Sequence, residues 1–216
     1  MSAKPARKIK SSAVKNIFKF PSTKSFDTPS YRTFQMVLVE SPLEEDYCFH
    51  LEADASVLRY FPQPKTFVVS GDYFKTRNYT PDFEVHFQCG RMAYVEVKKD
   101  FESLDEIYLH KLHLVSIEMK NNGYEFLHVD ETQIRMEPLL SNLRKLQRYR
   151  DRSIDSGGFF TLLRNSVPGP TTLNDLINNP LGIQLDTIYK LVASGHVVID
   201  LSKDLLTVNS GVRYVK

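Results

Sequence analysis

The chain has 216 residues, 42% of them hydrophobic, and a formal net charge of only +2. That is enough to bury a core in one large or two small domains, and too little overall charge to mark a nucleic-acid binder by composition alone. Nowhere do about 18 consecutive apolar residues occur, as a bilayer span requires, and the start of the chain lacks the apolar run of a secretory signal, so a soluble, cytoplasmic protein is expected.

Positive charge gathers at the start. Lys4, Arg7, Lys8, Lys10, Lys15 and Lys19 stand among the first twenty residues without one acid. Such a segment suits a basic arm, residues 1–24, lying along phosphates, and equally a solvated terminus. Cys48 and Cys89 have no paired or metal-ligand spacing and read as small buried apolar residues of a reducing compartment. His110 and His113 have no third ligand nearby, which argues against structural zinc.

Ser41-Pro42-Leu43-Glu44 predicts a helix start: Ser41 as N-cap, proline at the first helical position, Glu44 closing a capping box. The helix should run to about Ala53, with Leu43, Tyr47, Cys48 and Leu51 on the core side. Beyond Pro62 and Pro64 the pattern alternates. Phe67-Val68-Val69, Tyr79 to Phe87 and Arg91 to Val97 are expected as strands of one sheet, punctuated by Gly71 and Gly90.

A long amphipathic helix is expected from Glu102 to about Asn122, with Leu104, Ile107, Tyr108, Leu112, Val115 and Met119 apolar and Gly123 as its stop. Phe126 to Val129 follows as a strand, and a basic helix from Pro138 to about Arg150 carries Arg144, Lys145, Arg148 and Arg150. This order describes an α/β domain with a mixed sheet, residues 25–152. After a linker at Ser153 to Gly158, helical patterns at Phe160–Arg164, Leu173–Ile177 and Leu185–Ala193 precede a hairpin of His196–Leu201 and Leu205–Val208. Residues 153–216 therefore have a winged-helix outline.

The segments that can carry chemistry are Tyr79-Thr80-Pro81-Asp82-Phe83 and Tyr94-Val95-Glu96-Val97-Lys98. Strands joined through Gly90 bring Asp82 and Glu96 side by side, since neighbouring strands lie about 4.8 Å apart. Glu96 and Lys98 share one face of their strand while Val95 and Val97 share the other. Charges on so apolar a strand need pairing or a metal. Magnesium takes oxygen ligands from one or two carboxylates and completes its octahedron with water and phosphate, so Asp82 and Glu96 suit it as ligands. Lys98 would then hold or deprotonate the attacking water, or neutralise the phosphate. A surface ion pair between Glu96 and a lysine is the plain alternative, because Asp…Glu-x-Lys is a degenerate pattern. Glu44, or Glu45 or Glu52, can supply a further acid from the preceding helix, although the capping box already gives Glu44 a structural task.

Glu40-Ser41-Pro42-Leu43-Glu44, Leu51-Glu52, Gln63-Pro64, Tyr79-Thr80-Pro81-Asp82-Phe83 and Val95-Glu96-Val97-Lys98, preceded by Ile17-Phe18-Lys19-Phe20-Pro21, together resemble TnsA. TnsA is the endonuclease subunit of Tn-seven-like transposons, including CRISPR-associated ones, and the likeness spans roughly residues 15 to 150. It implies a restriction-endonuclease-like core with a winged-helix-like C-terminal domain. It also implies catalytic acids at Glu44 and Asp82, completed by Glu96 and Lys98, and a Mg2+ ion, replaceable by Mn2+, held by Glu44, Asp82 and Glu96. The implied reaction cleaves the non-transferred strand at the 5′ side of transposon-end DNA, beside a TnsB-type transposase and a TnsC-type ATPase regulator. A stand-alone restriction-type nuclease, a Holliday-junction resolvase and a non-catalytic DNA-binding adaptor are the competing readings.

Overall fold

A computed structural model of the chain describes residues 17–25, 35–68, 78–150 and 156–215. These fall into two compact units, 17–25 with 35–134, and 135–150 with 156–215. Most of the expected basic arm and half of the expected linker, with Val69 and Gly71, lie outside the described residues. Among those described, no helix is long and apolar enough to cross a membrane.

The first unit opens with an antiparallel ribbon of β1 (Phe18–Ser22) and β2 (Gln35–Val39), so the end of the expected arm is strand. Helix α1 (Pro42–Ala53) begins where the sequence places it, Ser41 Oγ accepting the Glu44 N–H at 3.1 Å. Then come β3 (Val57–Pro62), the short pair β4 (Phe67–Val68) and β5 (Asn78–Tyr79), β6 (Phe83–Phe87) and β7 (Met92–Lys98). Helix α2 (Glu106–Asn121), β8 (Glu125–Asp130) and the single turn α3 (Glu131–Ile134) complete the unit.

The main sheet has the order β3-β6-β7-β8, antiparallel except for the parallel β7–β8 pair that α2 connects. It is therefore a mixed α/β sheet, as the sequence pattern requires. Gly90, at φ +84°, turns β6 into β7 in a conformation that side chains resist. Strand β7 is central and buried on both faces. Val95 and Val97 join Phe83, Val85, Cys48, Leu51 and the ribbon in one apolar cluster. Tyr94, on the opposite face, packs with Tyr79 and with Leu112, Val115 and Met119 of α2.

Several boundaries differ from expectation. The strand expected over Tyr79–Phe87 is split, because the buried Pro81 has no N–H to give a ladder, and β5 pairs with β4 in a separate two-stranded sheet, so the expected strands do not all belong to one sheet. The helix expected from Glu102 starts four residues later, since Asp100 accepts the Glu102 N–H at 2.9 Å in a turn and Asp105 caps α2 through the Tyr108 N–H at 2.8 Å. Ile107, expected on the core side, is 60% exposed, and Cys89 is exposed whereas Cys48 is buried.

The second unit contains α4 (Leu139–Gln147), α5 (Ser156–Ser166), α6 (Leu173–Ile177) and α7 (Leu185–Ala193), then the antiparallel strands β9 (Val197–Val198) and β10 (Arg213–Tyr214). The basic helix thus belongs to this unit, and Gly157 and Gly158, expected in the linker, are helical. The three expected helices are present. The expected Leu205–Val208 strand is not: β9 pairs with residues 213–214, and the 201–206 backbone is bonded by side chains of α4. Leu146, Leu163, Leu173, Leu176, Ile188 and Leu191 build the core here.

Candidate active site

Asp82, Glu96 and Lys98 meet at the end of the β6–β7 hairpin. The ladder pairs Phe83 with Val95, and one further step of that register sets Asp82 opposite Glu96. Because Pro81 frees residues 80–82 from the sheet, the Asp82 carboxylate turns inward and its Oδ2 accepts the Val97 N–H at 2.7 Å. Gln63, the one non-glycine residue at positive φ (46°) among the described residues, donates its N–H to the Asp82 carbonyl at 2.8 Å. A strained residue thus fixes the backbone of the acid.

The Lys98 ammonium lies 2.5 Å from Glu96 Oε1 and 3.6 Å from Asp82 Oδ2. Burial alone would lower its pKa, but Asp82 and then Glu96 outweigh this and raise it above the usual lysine value. Asp82 behaves in the opposite sense to a surface acid. Burial first, then the charge of Glu96, hold its pKa well above the carboxylate range, with Glu44 contributing and Lys98 opposing.

Glu44 enters from the first turn of α1. Its Oε1 accepts from Ser41 Oγ at 2.8 Å and its Oε2 from the Glu40 N–H at 2.9 Å. Burial raises its pKa against the bonds from the Glu40 N–H and Ser41 Oγ, and the Lys98 charge lowers it least. Glu52, the alternative acid, is fully buried elsewhere: Ser22, Thr23 and Tyr60 all donate to its carboxylate.

Three partners of this site were not singled out from the sequence. Tyr79 donates its hydroxyl to Glu96 Oε2, and Tyr108, on α2, donates to Oε1 at 2.6 Å. Both tyrosines count as core in a hydrophobic pattern, and nothing local indicates where their hydroxyls go. His128 pairs with Glu96 across the β7–β8 register, its ring stacked on Phe101 at 4.7 Å, and burial lowers its pKa against the pull of Glu96.

The donor set suits a hard divalent ion, since it offers carboxylate oxygens and neither thiolate nor a histidine cluster. Asp82 and Glu96 both contact the one ammonium, and a bound cation would favour the ionised form of Asp82 that burial disfavours. Among the described residues no three His, Cys, Asp or Glu side chains are grouped closely enough to hold a metal ion, so the contacts that bring acids together here are those of Asp82 and Glu96 with Lys98. The basic face expected on α4 is partly committed to the fold, because Lys145 donates to the Leu206 carbonyl and Arg150 to the Ala193 carbonyl, each at 2.9 Å. No protein-family model matches the chain, and no curated protein matches it.

Proposed function

We propose that the chain is a magnesium-dependent DNA endonuclease of a Tn-seven-like transposition complex, a cytoplasmic TnsA-type subunit that cleaves the non-transferred strand at the 5′ side of transposon ends. The observation that carries this reading is the Lys98 ammonium held between Glu96 and Asp82 in the field of Glu44. A structural ion pair needs one acid for one amine. Here one amine contacts two acids, Glu96 and Asp82, with Glu44 acting on them electrostatically, and a buried charge left without its partner costs on the order of 3–5 kcal/mol.

Asp82 and Glu96, with Glu44, would hold Mg2+ or Mn2+. A bound ion of this kind supplies an activated water and neutralises charge developing on the phosphorus. The chain's own residues prepare that chemistry. The Val97 N–H and the Gln63 link fix Asp82, α1 brings Glu44, and Lys98 offers a positive charge beside the acids for a phosphate oxygen or the attacking water. The second unit, four helices of which the last three lead into a two-stranded ribbon, suits a winged-helix-like module that contacts DNA or the TnsB-type transposase and TnsC-type regulator.

A nicking assay on transposon-end DNA with strand-specific labels, run with and without these partners, tests the reading. The non-transferred strand should be cut at its 5′ side in magnesium, and Asp82→Ala should abolish the cut while folding and complex assembly persist. Cleavage by Asp82→Ala at the wild-type rate would overturn the site. Cleavage of DNA lacking transposon ends, without partners, would favour the stand-alone nuclease instead.

A further inference from the structure

We propose that Tyr79 and Tyr108 are positioning residues that restrict Glu96 to metal ligation through one oxygen, and that Tyr108 thereby sets the preference of the site for small octahedral cations over Ca2+. The inference rests on the metal site proposed above.

An ionised carboxylate offers roughly four lone-pair directions, two on each oxygen. On Glu96, Oε1 accepts from the Tyr108 hydroxyl at 2.6 Å and contacts the Lys98 ammonium at 2.5 Å, so both of its directions are occupied. Oε2 accepts only the Tyr79 hydroxyl among the described residues, leaving one direction open. Glu96 is 2% exposed, and its two hydroxyl donors come from separate elements, β5 and α2. Rotation of the carboxylate toward either donor would break the bond to the other.

On Asp82 the same division holds. Oδ2 is taken by the Val97 N–H and faces Lys98, and Oδ1 is bonded by no described residue. The acids therefore present single oxygens. That suits Mg2+ and Mn2+, whose compact octahedra take one oxygen from each carboxylate, whereas Ca2+ draws on bidentate carboxylates to fill a shell of six to eight oxygens. The two tyrosines then differ in what they do. Loss of the Tyr108 hydroxyl opens a direction on Oε1 and permits two-oxygen ligation. Loss of the Tyr79 hydroxyl frees a second direction on Oε2 alone, so it loosens Glu96 without permitting two-oxygen ligation.

Titration calorimetry of the full chain with Mn2+ and, separately, Ca2+ tests this without any cleavage step. Tyr79→Phe should weaken both ions alike, on the order of 10-fold, as loss of a partner that orients a ligand does. Tyr108→Phe should weaken Mn2+ and shift the Mn2+/Ca2+ affinity ratio toward Ca2+ by on the order of 10-fold. Each variant takes a donor from a buried carboxylate, so both should melt lower without metal; a merely structural role would stop there and leave the ratio intact. Tyr108 lies at the half-buried start of α2, which keeps its variant folded if Tyr79→Phe is not. A wild-type ratio in Tyr108→Phe overturns the proposal. Wild-type protein that binds neither ion overturns the metal site itself, a different failure.

Discussion

Ser41 and Glu44 bond each other twice across the first turn of α1: Ser41 Oγ accepts the Glu44 N–H at 3.1 Å and donates to Glu44 Oε1 at 2.8 Å. The acid that the metal reading needs therefore also braces the helix start, although its Oε2 accepts the Glu40 N–H and not the Ser41 N–H that the expected capping box would use. The two tasks separate by substitution. Ser41→Ala removes the cap and a donor to Glu44 Oε1, so it should cost about 1 kcal/mol of stability and only on the order of 10-fold in cleavage. Glu44→Gln keeps an acceptor for the Glu40 N–H and should melt near wild type while losing on the order of 100-fold in cleavage rate, the scale of a misplaced catalytic group. Parallel urea melts and nicking rates check this. An inactive Glu45→Gln beside an active Glu44→Gln would show that the functional acid sits one position later.

The start of α1 was legible because its signals are local: Ser41, Pro42 and Glu44 each act within one turn. The β6–β7 hairpin was legible for a similar reason, since Gly90 and the period-two pattern fix its register and bring Asp82 opposite Glu96. What remained hidden depends on partners distant in sequence. Tyr79 through Phe87 alternates like one strand, and its break at residues 80–82 is completed by the Val97 N–H, which no local pattern announces. Leu104 extends the apolar rhythm of α2 backward, while the Asp100 turn and the Asp105 cap decide where the helix starts. Tyr108 read as an apolar helix residue and Tyr79 only as the start of the Asp82 segment, and only the fold directs both hydroxyls at Glu96.

Glu52 shows how an acid close to the candidate site in sequence serves stability instead. Its carboxylate accepts from Ser22 Oγ at 2.7 Å, the Thr23 N–H at 3.0 Å, Thr23 Oγ1 at 2.5 Å and Tyr60 OH at 3.1 Å, tying the end of β1 to α1 and β3. Glu52→Ala strands buried donors, each worth about 1–3 kcal/mol when unsatisfied, so a total loss of roughly 3 kcal/mol or more is expected in urea unfolding. Mn2+ affinity of the folded fraction should be unchanged. A drop there would bring Glu52 back into the metal site.

His50 gives the first unit an acid-sensitive contact. Its Nε2 donates to the Ile134 carbonyl at 2.7 Å, and burial lowers its pKa below 6.5, with that hydrogen bond and Asp46 opposing. Below pH 6.5 the unfolded chain takes up a proton that the folded chain resists, so this contribution to stability is lost as pH falls and levels off below the folded pKa. Asp82 and Glu44, whose pKa values are raised, pull the other way, because the folded state takes their protons first. The quantity to read is therefore the wild type minus His50→Gln difference in melting temperature of the metal-free protein, which should shrink from pH 7 to pH 5. A difference constant across that range would show that His50 is not held neutral.

Asn142 replaces the strand ladder that the second unit was expected to have. Buried at 1% exposure on α4, it donates through Nδ2 to the Leu201 and Asp204 carbonyls, both at 2.8 Å, and its Oδ1 accepts the Leu206 N–H at 2.8 Å. Three backbone groups of the loop between β9 and β10 thus bond one side chain. The alternation of Leu205 to Val208 imitates a strand, yet Leu206 points into the core and its N–H faces a helix. Asn142→Ala should strand these groups at a cost of roughly 2–4 kcal/mol, with hydrogen exchange at the Leu206 amide rising far more than at amides of α7. Asn142→Asp keeps an acceptor for Leu206 but sets carboxylate oxygens against two carbonyls, so it should be at least as damaging. Wild-type exchange at Leu206 in both variants would mean that the loop is held by its own leucines rather than by Asn142.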